Sequence, residues 1–225
     1  MTGAQTAGAR GGPGSGRGAS VPRLSASERR RQLFDVALRL FADRGYAATT
    51  MDEIADAAGV TKPLLYQHFS SKRSLYAELV DSVAEEMLGA VSAATEAAGG
   101  PREQVEDGFA AYFTMVVTHE TAFRLLYART HPGDDELSDA LARVEDAMAE
   151  AIDPLISAGL EPEHRRVLAY ALVGMAESVS RQWIEGTAGG FRLTGERAGD
   201  LAEAQRMAGR LADLAWAGLR SVHAD

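Results

Sequence analysis

Helical periodicity dominates this chain from Ser25 onward. Apolar side chains recur every three or four residues through most of that length, and no window alternates apolar and polar residues as a strand does. The spacing predicts an all-α protein of about nine helices without a sheet. With 225 residues the chain is long enough to bury a core without a covalent staple. It contains no cysteine, which excludes a disulfide framework.

Composition divides the chain into three parts. Residues 1–24 are rich in Gly, Ser, Ala and Pro and have almost nothing to bury, which predicts a disordered tail. We divide the rest of the chain into a segment at 25–71 and a helical segment at 72–225. The charge supports the division, because residues 1–80 have a net charge of +4 and residues 81–225 a net charge of −13. A solvated acidic surface without a partner is the alternative interpretation.

Capping and turn residues predict a helix-turn-helix near the N-terminus. The S-x-x-E boxes at Ser25–Glu28 and Thr50–Glu53 each open a helix. Gly59 permits the tight turn, and we expect Thr61 to cap a short third helix that carries Pro63 in its first turn. Helix, tight turn and short helix in this order are typical of DNA-binding proteins.

The exposed face of the short helix supplies the candidates for reading DNA. If Leu65 and Phe69 point inward, Gln67 faces outward and can form a bidentate pair with adenine, while Leu64 can touch a thymine methyl group. The other candidates are suited to phosphate oxygens, although each also has a structural interpretation as a helix cap, an exposed side chain or an aromatic at the edge of the core. The predicted DNA-binding residues are Thr50, Lys62, Pro63, Leu64, Tyr66, Gln67, His68 and Lys72.

Nothing in the sequence indicates catalysis. No two of the five histidines have the three- or four-residue spacing of a helical metal site. His119 and His131 flank a predicted helix and could still meet a carboxylate in space. We therefore expect no metal, no cofactor and no enzyme. A helical bundle that binds a ligand or lipid without binding DNA is the alternative class.

Aromatic and methionine side chains cluster in the middle of the chain. They predict either a packed core or an apolar cavity between helices, and the cavity interpretation favours a small hydrophobic effector. The predicted pocket residues are Met87, Phe109, Tyr112, Phe113, Met115, Phe123, Tyr127 and Met148.

The run Phe41–Tyr76 resembles the DNA-binding region of TetR-family transcriptional regulators. The matching positions include Gly45-Tyr46, Thr49-Thr50, Gly59-Val60 and His68-Phe69. The resemblance implies a ligand-responsive regulator, expected to be a repressor, that binds a palindromic operator as a homodimer and releases it when an effector binds the C-terminal domain. It implies a helix-turn-helix DNA-binding domain at 25–71 and a helical effector-binding and dimerisation domain at 72–225. No apolar run approaches the roughly 20 residues that span a bilayer, so we expect a cytoplasmic protein without a membrane partner.

Two further expectations follow from the resemblance. The segments Phe123–Tyr127 and Ala171–Met175 are similar to those of fatty-acid-synthesis regulators of high-GC bacteria, which favours an acyl effector. In the family the last two helices of each subunit form the dimer interface, although an intramolecular core is the alternative for each of their apolar residues. The predicted interface residues are Leu172, Met175, Val179, Trp183, Leu211, Leu214 and Leu219.

Overall fold

The structure is a computed structural model and describes residues 24–127, 135–156, 159–186 and 201–222. Within these residues it contains nine α-helices, one 3-10 turn at Asp153–Leu155 and no strand, which confirms the all-α prediction. None of the described helices is long and apolar enough to cross a membrane. The helices are α1 (Ala26–Arg44), α2 (Met51–Ala58), α3 (Lys62–His68), α4 (Lys72–Ala97), α5 (Pro101–Thr118), α6 (Glu120–Tyr127), α7 (Asp135–Ile152), α8 (Pro162–Gly186) and α9 (Leu201–Leu219). The predicted tail over 1–24 lies outside the described residues except for Leu24.

Local capping signals set the boundaries of the first helices. Both S/T-x-x-E boxes form as predicted at the starts of α1 and α2. Gly59 ends α2 with a left-handed backbone at φ 66°, a conformation that costs glycine little. Thr61 is the N-terminal cap residue of α3, as predicted, although its side chain forms no capping hydrogen bond. Ser71 and Ser74 form a capping box at the start of α4 that sequence reasoning missed.

A small core holds the first three helices against the start of α4. Leu33 and Phe41 of α1, Ile54 of α2, and Leu65 and Phe69 at α3 are fully buried together. The burial of these aliphatic and aromatic side chains away from water is the main contribution that holds α3 in place. The predicted inward orientation of Leu65 and Phe69 is therefore confirmed.

The rest of the chain forms a helical bundle around α5. Helices α4 and α5 pack as an antiparallel pair, and Gly108 lets them approach, since a Cβ at this position would lie 3.2 Å from Cγ2 of Thr95. Helix α9 packs along α5 in the opposite direction, with Asp213 bonded to Arg102 at 3.5 Å. Helices α7 and α8 close the remaining side, and α6 packs against α1. This arrangement brings the bundle into contact with the first three helices through α4 and α6.

Candidate DNA-binding surface and effector cavity

The outer face of α3 is accessible to a macromolecule. Pro63, Tyr66 and Gln67 are exposed, and 49% of the Tyr66 surface is accessible to solvent. Leu64 and His68 are half-buried at the flanks of this face. The structure thus brings six of the predicted DNA-binding residues, Lys62 included, together on one short helix, and their side chains face the directions that the helical periodicity predicts.

Lys62 lies at the start of α3 and forms an ion pair with Asp52 of α2. The hydrogen bond with Asp52 raises the pKa of Lys62 above its usual value, so the ammonium stays charged. Both side chains are more than half exposed, so water screens the pair strongly. Lys62 is therefore free to exchange Asp52 for a DNA phosphate at small cost.

Lys72 has a different environment from the one we expected. Its ammonium donates to the carbonyl oxygens of Tyr46 and Thr49, both at 2.8 Å, and lies 4.3 Å from the centre of the Tyr46 ring. Two of its three N–H groups therefore hold the loop between α1 and α2 against α4. A phosphate contact by Lys72 stays a prediction, and it would have to use the third N–H group.

Thr50 is exposed at the N-terminus of α2, but its polar groups already have partners. Its backbone N–H donates to Glu53 at 2.9 Å, and its hydroxyl accepts from the Glu53 amide at 3.2 Å. The Thr50 backbone N–H, and the Thr50 hydroxyl that also donates to the Glu53 carboxylate at 2.9 Å, lower the pKa of Glu53, which therefore carries its negative charge at this helix end. A phosphate contact by Thr50 stays a prediction, and it would have to share groups that the capping box now uses.

Arg30 of α1 is a positioning residue that sequence reasoning missed. Its guanidinium donates to the carbonyl of His68 at 3.0 Å, at the C-terminal end of α3, and pairs with Glu78 of α4. It also lies 4.5 Å from the centre of the Phe69 ring. One side chain thus connects α3 to both α1 and α4. The sequence did contain a signal for this role, because Arg30 lies on a face of its helix where the neighbouring side chains are apolar.

A cavity of about 300 Å³ lies inside the bundle. Its wall is mostly apolar and comes from α4, α5, α7, α8, α9 and the 3-10 turn, with a few polar groups from Thr95, Gln104, Glu177 and Arg220. A mostly apolar wall with few polar groups is typical of small-molecule sites. The other lining residues are Met87, Val91, Pro101, Val105, Gly108, Phe109, Tyr112, Met148, Ile152, Leu155, Ile156, Leu168, Leu172, Val173, Ala176, Trp216 and Leu219.

Half of the predicted pocket residues line this cavity. They are Met87, Phe109, Tyr112 and Met148.

The predicted pocket residues Phe113, Met115 and Phe123 are instead buried in the core and do not line this cavity. Phe113 points toward α8, where its ring centre lies 6.3 Å from that of Trp183. The Tyr127 side chain lies outside the part of the chain that the structure describes.

The apolar residues predicted for the dimer interface divide between the inside and the outside of the bundle. Leu214 is 64% exposed, whereas Trp183 is buried and the other five are half-buried against the core. Leu172 and Leu219 line the cavity. Trp183 is therefore a core residue, because its indole packs against Phe113 of its own chain. The exposed apolar residues that we missed on α8 and α9 are Val167, Tyr170 and Leu201.

The two lysines give a stability prediction. Lys72→Met should lower the free energy of unfolding by about 1–3 kcal/mol, because the part-buried carbonyls of Tyr46 and Thr49 lose a charged donor. Lys62→Met should leave the free energy of unfolding nearly unchanged, since its ion pair with Asp52 is exposed. Chemical denaturation followed by circular dichroism measures both, with Lys62→Met as the matched control. Equal stability of the two variants would contradict the assigned role of Lys72.

Comparisons with known proteins match both parts of the chain. Residues 33–79 match the family described as "Bacterial regulatory proteins, tetR family", and residues 101–218 match "Tetracyclin repressor-like, C-terminal domain". The HTH-type transcriptional activator FasR of Mycolicibacterium smegmatis is 34% identical over 164 residues, which cover 72% of this chain and 75% of that protein. The HTH-type transcriptional repressor KstR2 of Rhodococcus jostii is 46% identical, but only over 63 residues, 28% of this chain and 31% of KstR2.

Solved structures show the same fold over most of the chain. A TetR-like transcriptional regulator from Rhodococcus sp. RHA1 has a TM-score of 0.68 at 26% identity, covering 89% of this chain and 100% of that one. The regulator FadR from Bacillus subtilis, in complex with stearoyl-CoA, has a TM-score of 0.67 at 13% identity, covering 84% and 98%. Together with the helix-turn-helix geometry, these matches show that the chain belongs to the TetR family of transcriptional regulators.

Proposed function

We propose that the protein is a homodimeric repressor that binds a palindromic operator through α3 and releases it when a small apolar molecule fills the cavity. One observation carries this proposal: α4 belongs to both sites. Its first turn holds the α1–α2 loop through Lys72, and its later turns line the cavity through Met87, Val91 and Thr95. A ligand that favours one position of α4 can therefore change the position of α3.

Direct base readout by α3 is sparse. Among its exposed residues Gln67 has the side chain best suited to a base edge, while Tyr66 and Lys62 suit phosphate oxygens. The half-buried Leu64 offers an apolar contact to a thymine methyl group. Much of the affinity should then come from phosphate contacts and from the shape of the DNA.

A substitution at Gln67 tests the placement of α3 in the major groove. Gln67→Ala should cost about 1–3 kcal/mol of operator binding and relax base preference at one position in each half-site. The measurement is fluorescence anisotropy with an operator selected from genomic DNA and with its single-base variants. Arg31→Ala removes a positive charge from the exposed side of α1 and is the comparison variant, because it should at most weaken binding to all sequences alike without changing the base preference. If Gln67→Ala keeps the full base preference, α3 does not read this groove.

The outer faces of α8 and α9 support dimerisation. Val167 and Leu214 are more than 60% exposed, and Leu201 is half exposed. Gly174 and Gly218 lie on the same two helices, and a Cβ at either would meet nothing within 4 Å. Exposed apolar side chains between small residues allow helices of two subunits to approach closely. A two-fold dimer would place two α3 helices about 34 Å apart, or a multiple of it, on one side of the duplex.

Sedimentation tests the interface. The wild-type protein should sediment as a dimer at micromolar concentration, and Leu214→Asp should shift it to a monomer near 23.9 kDa because a charge would be buried without a partner. Leu24→Asp changes an exposed leucine far from α8 and α9 and should leave the dimer intact. A Leu214→Asp protein that remains a dimer would place the interface elsewhere.

The cavity chemistry favours an apolar effector. Its polar groups are few, and methionine side chains adapt to irregular apolar ligands. The FadR neighbour is named as a complex with stearoyl-CoA, which supports an acyl compound as one candidate. KstR2 is named a repressor and FasR an activator. We keep repression as the proposed outcome, which a transcription assay with the operator placed at a promoter checks directly.

Titration of the protein–operator complex tests release. Acyl-CoAs, free fatty acids and planar aromatic drugs are the probes, and at least one class should weaken binding about a hundredfold, a coupling of about 2.7 kcal/mol. Val105→Trp should abolish the response by filling the cavity, whereas Asp107→Trp, exposed on the same helix, should keep it. Release by polar metabolites alone, or an intact response in Val105→Trp, would refute an apolar effector in this cavity.

A further inference from the structure

One carboxyl group interrupts the apolar wall of the cavity. Glu177 is the last residue of α8 that lines it, after Leu168, Leu172, Val173 and Ala176. The wall near it continues with methionines of α4 and α7, which offer no strong hydrogen-bonding group. An acidic side chain on an otherwise apolar stripe costs stability unless its charge is compensated. The presence of Glu177 in this wall therefore calls for a functional explanation.

The lining contains two ionisable groups of opposite sign, Glu177 of α8 and Arg220 after the last turn of α9. On the Arg220 side, α9 reaches the start of α5, where Asp213 meets Arg102. Glu177 lies beside Glu145 of α7, three residues before the lining residue Met148. We call the Glu177 side of the cavity the inner end.

Glu145 of α7 lies beside Glu177. Burial, and then the charge of Glu145 and a hydrogen bond with it, raise the pKa of Glu177 to about 7, while Arg181 on the same helix opposes the rise. Above that pH the group is a carboxylate, and below it the carboxyl group still keeps an oxygen that accepts hydrogen bonds. Glu177 therefore offers an acceptor to whatever occupies the inner end.

We propose that the inner end binds a hydrogen-bond donor, a hydroxyl or a protonated amine, carried on an apolar body, and that Glu177 accepts this hydrogen bond. The inference rests on the proposed effector function of the cavity and specifies its ligand class. A carboxylate at the same end would face a like charge in a poorly solvated site and is disfavoured. Acidic ligands are then restricted to the orientation in which their charge lies toward Arg220.

A matched set of decyl compounds tests this selectivity on the full-length protein. Decanol, decylamine, decanoate and decyl methyl ether share one apolar chain and differ at the head group, and the ether keeps an acceptor but lacks the donor. Calorimetric titration should show decanol and decylamine binding about tenfold more tightly than the ether, as expected for one hydrogen bond to a charged acceptor. Decanoate should gain no such advantage.

Substitutions assign the preference to Glu177. Glu177→Leu should remove the advantage of both donors, and Glu177→Gln should remove that of decylamine while the amide oxygen still accepts from decanol. Glu163→Gln, at the exposed start of α8, is the control and should change nothing. The melting temperature and helix content of each variant are measured alongside to establish that it folds.

The outcomes separate the two proposals. If all four compounds bind with equal affinity, or the donor advantage persists in both Glu177 variants, the selectivity inference is overturned while the apolar cavity stands. If decanoate loses affinity in Glu177→Leu as decanol does, its carboxylate also lies at the inner end and the inference is likewise overturned. If none of the decyl compounds binds, the inference fails, while the proposed effector function is judged separately by the titration of the protein–operator complex.

Discussion

The hydrogen bonds from Lys72 to the loop before α2 are the interaction on which the DNA-binding geometry depends. The ammonium joins the first turn of α4 to two backbone carbonyls, those of Tyr46 and Thr49, that no helix satisfies. Thr49 is fully buried, and its hydroxyl donates to the carbonyl of Gly45 at 2.9 Å, so the loop is held from both sides. Because α2 begins directly after this loop, the position of α4 determines where the helix-turn-helix lies.

An aromatic cluster extends this connection to the bundle. The Tyr76 ring of α4 packs on Phe41 and Tyr46, with ring centres 5.4 and 4.9 Å away, and its hydroxyl donates to the Leu125 carbonyl of α6 at 3.4 Å. Tyr76 thus contacts α1, the loop that follows α1, and α6. From Tyr76 to the first cavity residue, Met87, the helix rises about 16 Å. A small rotation of α4 at the cavity would therefore reach the loop that Lys72 holds, which is the physical basis of the coupling that we propose.

The N-terminal helices could be predicted from the sequence because their signals act over a few residues. A capping box spans four residues, and Gly59 fixes its own turn, so neither depends on the rest of the fold. The buried side of α3 followed from the spacing of Leu65 and Phe69. Arg30 could not be assigned in this way, because its partners at His68 and Glu78 lie 38 and 48 residues away in the sequence.

The bundle was harder to predict because periodicity identifies an apolar face without identifying what covers it. Phe113 and Trp183 were assigned to a pocket and to a dimer interface, yet they pack against each other inside one chain. The opposite error concerns Val167, which the sequence analysis did not name. Only the exposure of its side chain in the structure places it on the outer face. Glu177 did carry a signal, since an acidic residue four positions after Val173 lies on a stripe that otherwise faces the interior. The ligand contact that we propose therefore rests on a charge within the apolar stripe of a helix, whereas the aromatic residues around it are features that any core requires.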